Sequence, residues 1–403
     1  MKLKAQPYHL KNIIQHYAWG TKGKNAFIPK LLNIKAEKNK PYAELWMGAH
    51  PKASSKIVVD GKEVELAEVI YQYPQQMLGR KTAKSFSNTL PFLFKVLSVN
   101  EALSIQVHPD KKQAIALNKK DPINYPDNNQ KVEIAVALDS LTALYGFKPA
   151  TQIIKMLKDY PEIADFIGAR IDINPNKKNL LKQIFTRLIK NAVMNTDGLS
   201  NALKKLYGRI SRKKVKTEIE KYFLKLHRKY ENDVGLLILF FLNLVKLKRG
   251  EAVFTKPGVP HAYLKGNILE CMSNSDNVIR AGLTPKFKDI DSLLGVLRYE
   301  SNFPKIIRGK KRKNLLIYQT DAKEFQLQIY NIDKSELKFK DQDSPRILLV
   351  LRGEVKVNYL DDIKRKSMII SKGESAFFPS SFSNFTITPQ KISQLVIVTI
   401  PHK

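Results

Sequence analysis

The chain reads as a mainly β protein with a helical insertion, built as two jelly-roll barrels plus an α-helical domain. Three observations predict this. Short apolar runs broken by Pro, Gly and Asn dominate residues 1–149 and return over 250–403. Apolar spacings of three and four residues take over in between. A short motif also repeats in the two β-rich regions. At 403 residues the chain exceeds what one core supports, about 250–300 residues, so two or three domains are expected. With 43% hydrophobic and 9% aromatic residues it can fill those cores.

In the first region LPFLFKVLSV, ALSIQVHP and VEIAVAL read as strands. Residues 150–249 read as helices through TQIIKMLKDY, NLLKQIFTRLIKNAV, LSNALKKLYGRI and VKTEIEKYFLKLHRKY. In the last of these, Val215, Ile219, Phe223 and Leu226 form one apolar stripe. The run from Leu236 to Val245 reads as a buried helical segment. It spans about ten residues and contains Asn243, whereas a bilayer span takes about 20. β texture resumes with RILLVLRGEVKVNYL, SMIISKGESAFFP and SQLVIVTIP. Within it lies the repeat: Gly250-Glu251 leads through Val253-Phe254 to Pro257, and Gly373-Glu374 leads through Ala376-Phe377 to Pro379. A Gly-Glu turn, a short apolar strand and a proline exit suit matching turns of two barrels. The first copy reaches His261, whereas the second runs into Ser380, Ser381 and Phe382, so only the first barrel is expected to hold a metal. Residues 1–149 and 250–300 would close that barrel around an insertion at 150–249, with a second, metal-free barrel at 301–403. An insertion of this kind should be removable, leaving a soluble barrel.

The formal net charge of +32 raises nucleic-acid binding as a role. Residues 151–249 carry 22 Lys and Arg against 9 Asp and Glu, about twice the net density of the rest, yet basic residues occur throughout. No aromatic-interleaved basic motif accompanies them, so the charge is read as solvated surface that also favours an anionic substrate. A single cysteine, Cys271, excludes an internal disulfide and a cysteine-built zinc site and fits a reducing compartment. MKLKAQPYHLKN has no apolar run behind its lysines and does not read as a signal peptide, so a cytoplasmic location is expected.

Seven histidines are present, and two stand in suggestive places. Gln106 and His108 follow an apolar run, and a strand would put both on one face. Lys131 and Glu133 likewise share a face, with the small Ala135 and Ala137 behind them leaving interior space. His261 follows the turn Pro257-Gly258-Val259-Pro260. Two imidazoles and a carboxylate match many catalytic zinc sites, and a glutamine carbonyl supplies a further oxygen. The alternative is structural: hydrogen-bonded histidines, and Glu133 paired with Lys131. His261, Tyr263, Glu270, Asp276, Arg280 and Lys286 then fall within 26 residues. Cations there would hold a phosphate and a carboxylate would move protons. A solvated charged loop is the alternative for SNSDNVIRAGLTPK.

The run HAYLKGNILECMSNSDNVIRAGLTPK closely resembles the signature of the type I phosphomannose isomerases, zinc-dependent proteins of the cupin class. The resemblance extends to Tyr17-Ala18-Trp19-Gly20, to YAELWMGAHP over residues 42–51, and to the blocks at 90–111 and 125–138. It implies a zinc ion, one per chain, on Gln106, His108, Glu133 and His261. It implies an essential active-site arginine at Arg280, and substrate-pocket positions at Lys131, Glu270, Tyr263, Lys286, Ser104, Lys95 and Trp19. Asp276 is grouped with the substrate-binding residues. The implied reaction interconverts mannose 6-phosphate and fructose 6-phosphate through a zinc-stabilised cis-enediolate, with Lys131 or Glu270 moving the proton, in a monomer serving GDP-mannose synthesis. The chain departs from the family's usual N-H-K-P-E by reading Asn129-Gln130-Lys131-Val132-Glu133. Glutamine cannot exchange a proton near neutral pH as histidine can. That departure keeps a second expectation open, a cupin that binds metal and sugar phosphate without isomerising it.

Overall fold

Two apolar runs of the first β-rich region become strands Phe92–Val99 and Glu133–Ala137, which flank His261–Ser273 of the later β-rich region, antiparallel to it, in an eleven-stranded sheet. The computed structural model describes residues 3–168, 179–300, 303–340, 343–361 and 364–401; residues 169–178 of the expected helical segment lie outside them. These three strands are covered on both faces, which is why they read as unbroken apolar runs. Their period-two alternation divides the side chains. Phe94, Val96, Ile134, Val136, Leu269 and Cys271 face Leu327, Ile329, Ile347, Leu349, Val396 and Val398 of the C-terminal lobe. Leu97, Ala135, Ala137 and Ile268 point the other way, into the core of the first lobe, and Lys95, Glu133 and Glu270 share their face.

Strand His261–Ser273 is the long axis of this lobe. Its second half pairs with Phe92–Val99 and Glu133–Ala137, and its first half with Ile105–Val107 and Leu141–Phe147. The change of partners falls at Gly266, whose φ is +134° and whose missing Cβ would stand 2.3 Å from the Ser140 carbonyl oxygen. Only glycine fits that position. The first lobe is thus a bent, branched sheet wrapped around its core; no sheet closes into a barrel by hydrogen bonding among the described residues.

The C-terminal lobe packs a seven-stranded sheet on a four-stranded one through Leu348, Val350, Phe378, Leu395 and Ile397 on one side and Val355, Val357, Ile370, Phe385 and Ile387 on the other. Tyr8–His9, near the start of the first β-rich region, pairs with Ser375–Phe378 of this lobe. The internal repeat is structural. Gly250 and Gly373 have φ of +82° and +85°. In each turn the following glutamate accepts a hydrogen bond from a backbone N–H three residues earlier, Glu251 from Lys248 at 2.9 Å and Glu374 from Ser371 at 2.8 Å. A short strand follows each turn, Glu251–Thr255 and Ser375–Phe378.

The middle region forms helices Ala150–Asp159, Pro161–Ile167, Leu180–Met194, Thr196–Arg212 and Glu218–Tyr230. Two expectations need correction here. Val215 lies before its helix and is 87% exposed, because a Thr217–Glu220 capping box starts the helix two residues later. The run from Leu236 to Val245 is buried but not one helix. It opens as helix Gly235–Ile238 and continues as strand Leu242–Leu247, paired with Leu141–Phe147. No helix among the described residues is long and apolar enough to cross a membrane.

The helices share one core with the first lobe. Phe185, Leu188, Leu206 and Phe223 belong to the same buried cluster as Ile105, Val107, Leu144, Phe147, Ala262 and Ile279. That continuity weighs against a freely removable insertion, since excision would bare the strands packed against the helices. A chain with residues 150–249 replaced by a short linker is expected to accumulate as insoluble protein. Recovery of a soluble, cooperatively unfolding fragment would contradict the shared core.

Candidate active site

Strands Ile279–Gly282, Ile105–Val107, His261–Ser273 and Leu141–Phe147 lie side by side, so Arg280, Gln106, His261 and Tyr145 are register partners in one row. His108 follows the end of the second strand, and Glu133 opens Glu133–Ala137. The bend in strand His261–Ser273 brings these separate elements together. His108 Nε2 stands 3.3 Å from Glu133 Oε1, and His261 Nε2 stands 3.2 Å from Glu133 Oε2. The Gln106 amide lies 3.4 Å from His261 Nε2. His108, Glu133 and His261 are each at most 2% exposed.

The second ring nitrogens decide what this cluster is. His108 Nδ1 is 3.0 Å from the Asn277 carbonyl oxygen, and His261 Nδ1 is 3.0 Å from that of Val259. A carbonyl oxygen can only accept, so each Nδ1 carries the ring proton and each Nε2 turns a lone pair inward. His108 Nε2 and Glu133 Oε2 are left buried without a hydrogen-bond partner. Acceptors converging in a dry space repel one another unless a cation lies between them. Nitrogen and oxygen donors from two histidines and a carboxylate, with the Gln106 carbonyl within reach on rotating the amide, suit a zinc ion. Burial pushes the His108 imidazolium pKa down to about 4, so the neutral, metal-binding form prevails at neutral pH. Burial works against the Glu133 charge, but His108 when protonated, and Lys131, more than offset it and hold its carboxyl well below the usual range.

A layer of charge surrounds the cluster. Lys131 Nζ is 3.4 Å from Glu133 Oε1. Lys95 faces its cross-strand partner Glu270 at 2.5 Å and Glu44 at 3.5 Å. The Trp46 indole donates to Glu44 at 2.6 Å, and its ring lies 5.8 Å from the Lys95 ammonium. Burial disfavours the Lys95 charge, yet Glu270, Glu44 and Glu133 raise its pKa above the ordinary lysine value. Three buried carboxylates face two ammonium groups here. Burial, with Glu133 and Glu44 adding to it and Lys95 opposing, therefore raises the Glu270 carboxyl. The Tyr263 hydroxyl is pushed well up by burial and by Glu270 and Glu133.

The outer positions differ in character. Arg280 is half-buried and forms no ion pair with a described carboxylate, and burial lowers its pKa. Lys286 is exposed on the loop after Thr284. Ser104 is half-buried, just before the strand that carries Gln106. Trp19 packs against the lobe's core. Asp276 is already engaged, by Lys52 at 2.8 Å and His50 at 3.4 Å. Burial opposes its charge, but those two partners keep its carboxyl below the usual range.

SNSDN is no solvated loop. Ser273, Ser275 and Asn277 are at most 2% exposed. Asn277 Nδ2 donates to the Asp127 and Asn129 carbonyls at 2.7 and 3.1 Å, Ser275 Oγ donates to the Asn129 carbonyl, and Ser273 Oγ donates to that of Gln130. These bonds clip the segment carrying Lys131 and Glu133 against the segment leading to Arg280. Sequence reasoning missed Asn277, Glu44 and Trp46. The alternation of Glu44 and Trp46 within YAELWMGAHP was the available signal, since it puts both on one strand face. Lys95→Met should leave Glu270 and Glu44 buried without their shared cation. A loss of about 3–5 kcal/mol in denaturant unfolding is expected, with partial recovery when Glu270→Gln is added. Unchanged stability would show that the pair is not buried as described.

Comparison with known proteins places this geometry. Residues 8–150 match the family model for the catalytic domain of type I phosphomannose isomerase, and residues 153–242 match that for its helical insertion domain. A probable mannose-6-phosphate isomerase of Dictyostelium discoideum is 37% identical over 380 residues, spanning 86% of this chain and 83% of its own. The mannose-6-phosphate isomerase of Homo sapiens is 37% identical over 374 residues, spanning 86% and 88%. A crystal structure of a phosphomannose isomerase variant from Salmonella typhimurium superposes with a TM-score of 0.88 at 32% identity, covering 98% of this chain and 100% of that one. A zinc-bound mannose 6-phosphate isomerase structure gives 0.86 at 33%, covering 99% and 100%. With a buried His-Glu-His cluster on a strand-rich lobe and a helical layer over it, the chain belongs to the type I phosphomannose isomerases.

Proposed function

We propose that this chain interconverts mannose 6-phosphate and fructose 6-phosphate, with one zinc ion held by Gln106, His108, Glu133 and His261. The observation that carries this reading is the set of orphaned acceptors among His108, Glu133 and His261, placed in one row with the half-buried Arg280. A divalent ion bound there supplies Lewis-acid stabilisation of negative charge developing on substrate oxygens.

The chain's own residues do the rest. Isomerisation takes a proton from C2 of the open-chain aldose and returns it to C1, so a base must stand beside those carbons. Glu270, with its carboxyl raised above the usual range, and Lys131 are the groups available for that transfer. Lys95 keeps Glu270 aimed across the sheet. Arg280 and Lys286 receive the phosphate or the developing oxyanion. Tyr263, Ser104, Trp19 and Asp276 complete the substrate pocket. Gln130 donates through Nε2 to Glu324 Oε1 of the C-terminal lobe at 2.9 Å and cannot exchange a proton as histidine can, so either another group opens the sugar ring or turnover is slow.

The same reading takes residues 1–149 and 250–300 as the catalytic unit, 150–249 as the insertion and 301–403 as a lobe without a metal site. It also includes a cytoplasmic monomer that supplies carbohydrate metabolism and GDP-mannose synthesis and makes no functional use of nucleic acid. Supporting it are the single free cysteine, Cys271, and the spread of basic residues over the whole chain.

Purified protein should form fructose 6-phosphate from mannose 6-phosphate, lose activity on chelation and regain it with zinc. Metal content without turnover would favour the non-isomerising alternative. His108→Ala should lower zinc from one equivalent toward none, by elemental analysis, together with activity; a zinc-free, active variant would sink the metal assignment. Arg280→Ala should keep its zinc and lose about 10²–10³ in kcat, the size seen when one oxyanion donor is removed. In Gln130→His, faster turnover is expected if ring opening limits the rate, and an unchanged kcat would clear Gln130 of that role.

A further inference from the structure

A cavity of about 610 Å³ lies away from Lys131, Glu270, Arg280 and Lys286, between strand Glu251–Thr255 and residues 303–321. That volume falls in the range of small-molecule sites. Its charged lining is Lys256, Arg298, Lys305, Arg308 and Lys310 against Glu300 and Asp321. Lys256 is taken by Asp321 at 2.6 Å and Arg308 by Glu251 at 2.8 Å. Arg298, Lys305 and Lys310 form no ion pair with a described carboxylate, so positive charge is left facing the space. The apolar wall comes from Phe254, Val259, Pro260, Ile306 and Phe303. Phe303 is 66% exposed at the rim, a large ring with no cover among the described residues.

The floor of this cavity is the back of the metal-ligand turn. Val259 and Pro260 line it, and the Val259 carbonyl is the group that holds His261 Nδ1. Tyr145 also lines it, stands opposite His261 in register, and donates its hydroxyl to the Phe254 carbonyl at 2.5 Å. The backbone N–H of Arg298 donates to the Gly258 carbonyl at 2.9 Å. The Arg298 side chain packs so closely on Gly258 that an added Cβ there would stand 2.5 Å from it. A group that draws on Arg298 therefore acts on the turn that orients a ligand imidazole.

We propose that this cavity is a second binding site, for a small organic phosphate with an apolar ring-bearing body, and that its occupancy adjusts the metal centre through the Pro257–His261 turn. The cations recognise the phosphate, and Phe303, Ile306 and Pro260 cover the body. The coupling half rests on the metal-site reading above; the binding half does not.

Adenosine monophosphate serves as the probe, titrated calorimetrically into the zinc-loaded protein, with adenosine and inorganic phosphate as the two half-ligands. Saturable binding is expected, at least tenfold tighter than either half. It should weaken at least tenfold in the exposed pair Lys305→Glu, Lys310→Glu and in Arg298→Gln, with metal content unchanged. It should persist in Arg280→Ala and in the presence of mannose 6-phosphate. In cobalt-substituted protein, saturating nucleotide should change the visible absorption bands of the metal. No binding, binding indifferent to the charge reversals, or displacement by mannose 6-phosphate would overturn the site. An unchanged cobalt spectrum at saturation would overturn the coupling. None of these readouts requires isomerase turnover, so failure of the proposed reaction would be seen separately.

Discussion

Strand His261–Ser273 is paired on both sides at His261 and again from Ile268 to Met272, and its alternation dictates where everything else must go. At one end it offers His261 and Tyr263, at the other Glu270, all in the first lobe. A change in its register by one residue would swap Glu270 with Leu269 and Cys271, placing a carboxylate in the apolar seam between lobes. The seam of large side chains on the opposite face, from Phe94 to Val398, is what holds that register. Burial of apolar surface at about 25 cal/mol per Å² thus enforces the placement of charges that would not choose to be buried.

Those charges are arranged with a surplus of acceptors. Glu44, Glu133 and Glu270 carry more negative charge than Lys95 and Lys131 neutralise, and two imidazoles add lone pairs. In a compact apolar lobe such a surplus is tolerable only where a cation is to be received. Burial, together with the same surplus of carboxylates, raises the Glu270 carboxyl above its usual range. Trp46 fixes Glu44 through its indole N–H, and the Asn277 carbonyl fixes the His108 ring from its outer nitrogen.

The helical layer and the C-terminal lobe supply dryness and rigidity. The helices cover the outer faces of Ile105, Val107 and Ala262, next to Gln106, His108 and His261. The C-terminal lobe covers the faces of Ile134 and Cys271, next to Glu133 and Glu270. Gln106, Glu133 and His261 therefore sit on strands packed from behind, and His108 directly follows one, which limits the motion of the acceptor cluster. Gly235 and Gly282 show how tight this is: an added Cβ on Gly282 would fall 2.4 Å from Gly235 Cα.

What the sequence determined by itself is local. Period-two alternation put Gln106 with His108 and Lys131 with Glu133, and three-and-four spacing marked the helical region, because both patterns are properties of a single element. The repeated Gly-Glu turn was legible for the same reason, since its glycine conformation and glutamate bond lie within four residues. The start of helix Glu218–Tyr230 was misjudged because hydrophobic spacing was followed past a capping box. The run from Leu236 to Val245 was misjudged because apolar residues alone do not distinguish a buried helix from a buried strand. Tertiary structure decided which distant elements meet: that Lys95 takes Glu270 and Glu44, that Asp276 is claimed by Lys52 and His50, that Asn277 orients His108, and that Gln130 turns to Glu324. Those pairings depend on sheet register and lobe packing between residues as distant in sequence as His50 and Asp276, and no local pattern carries that information.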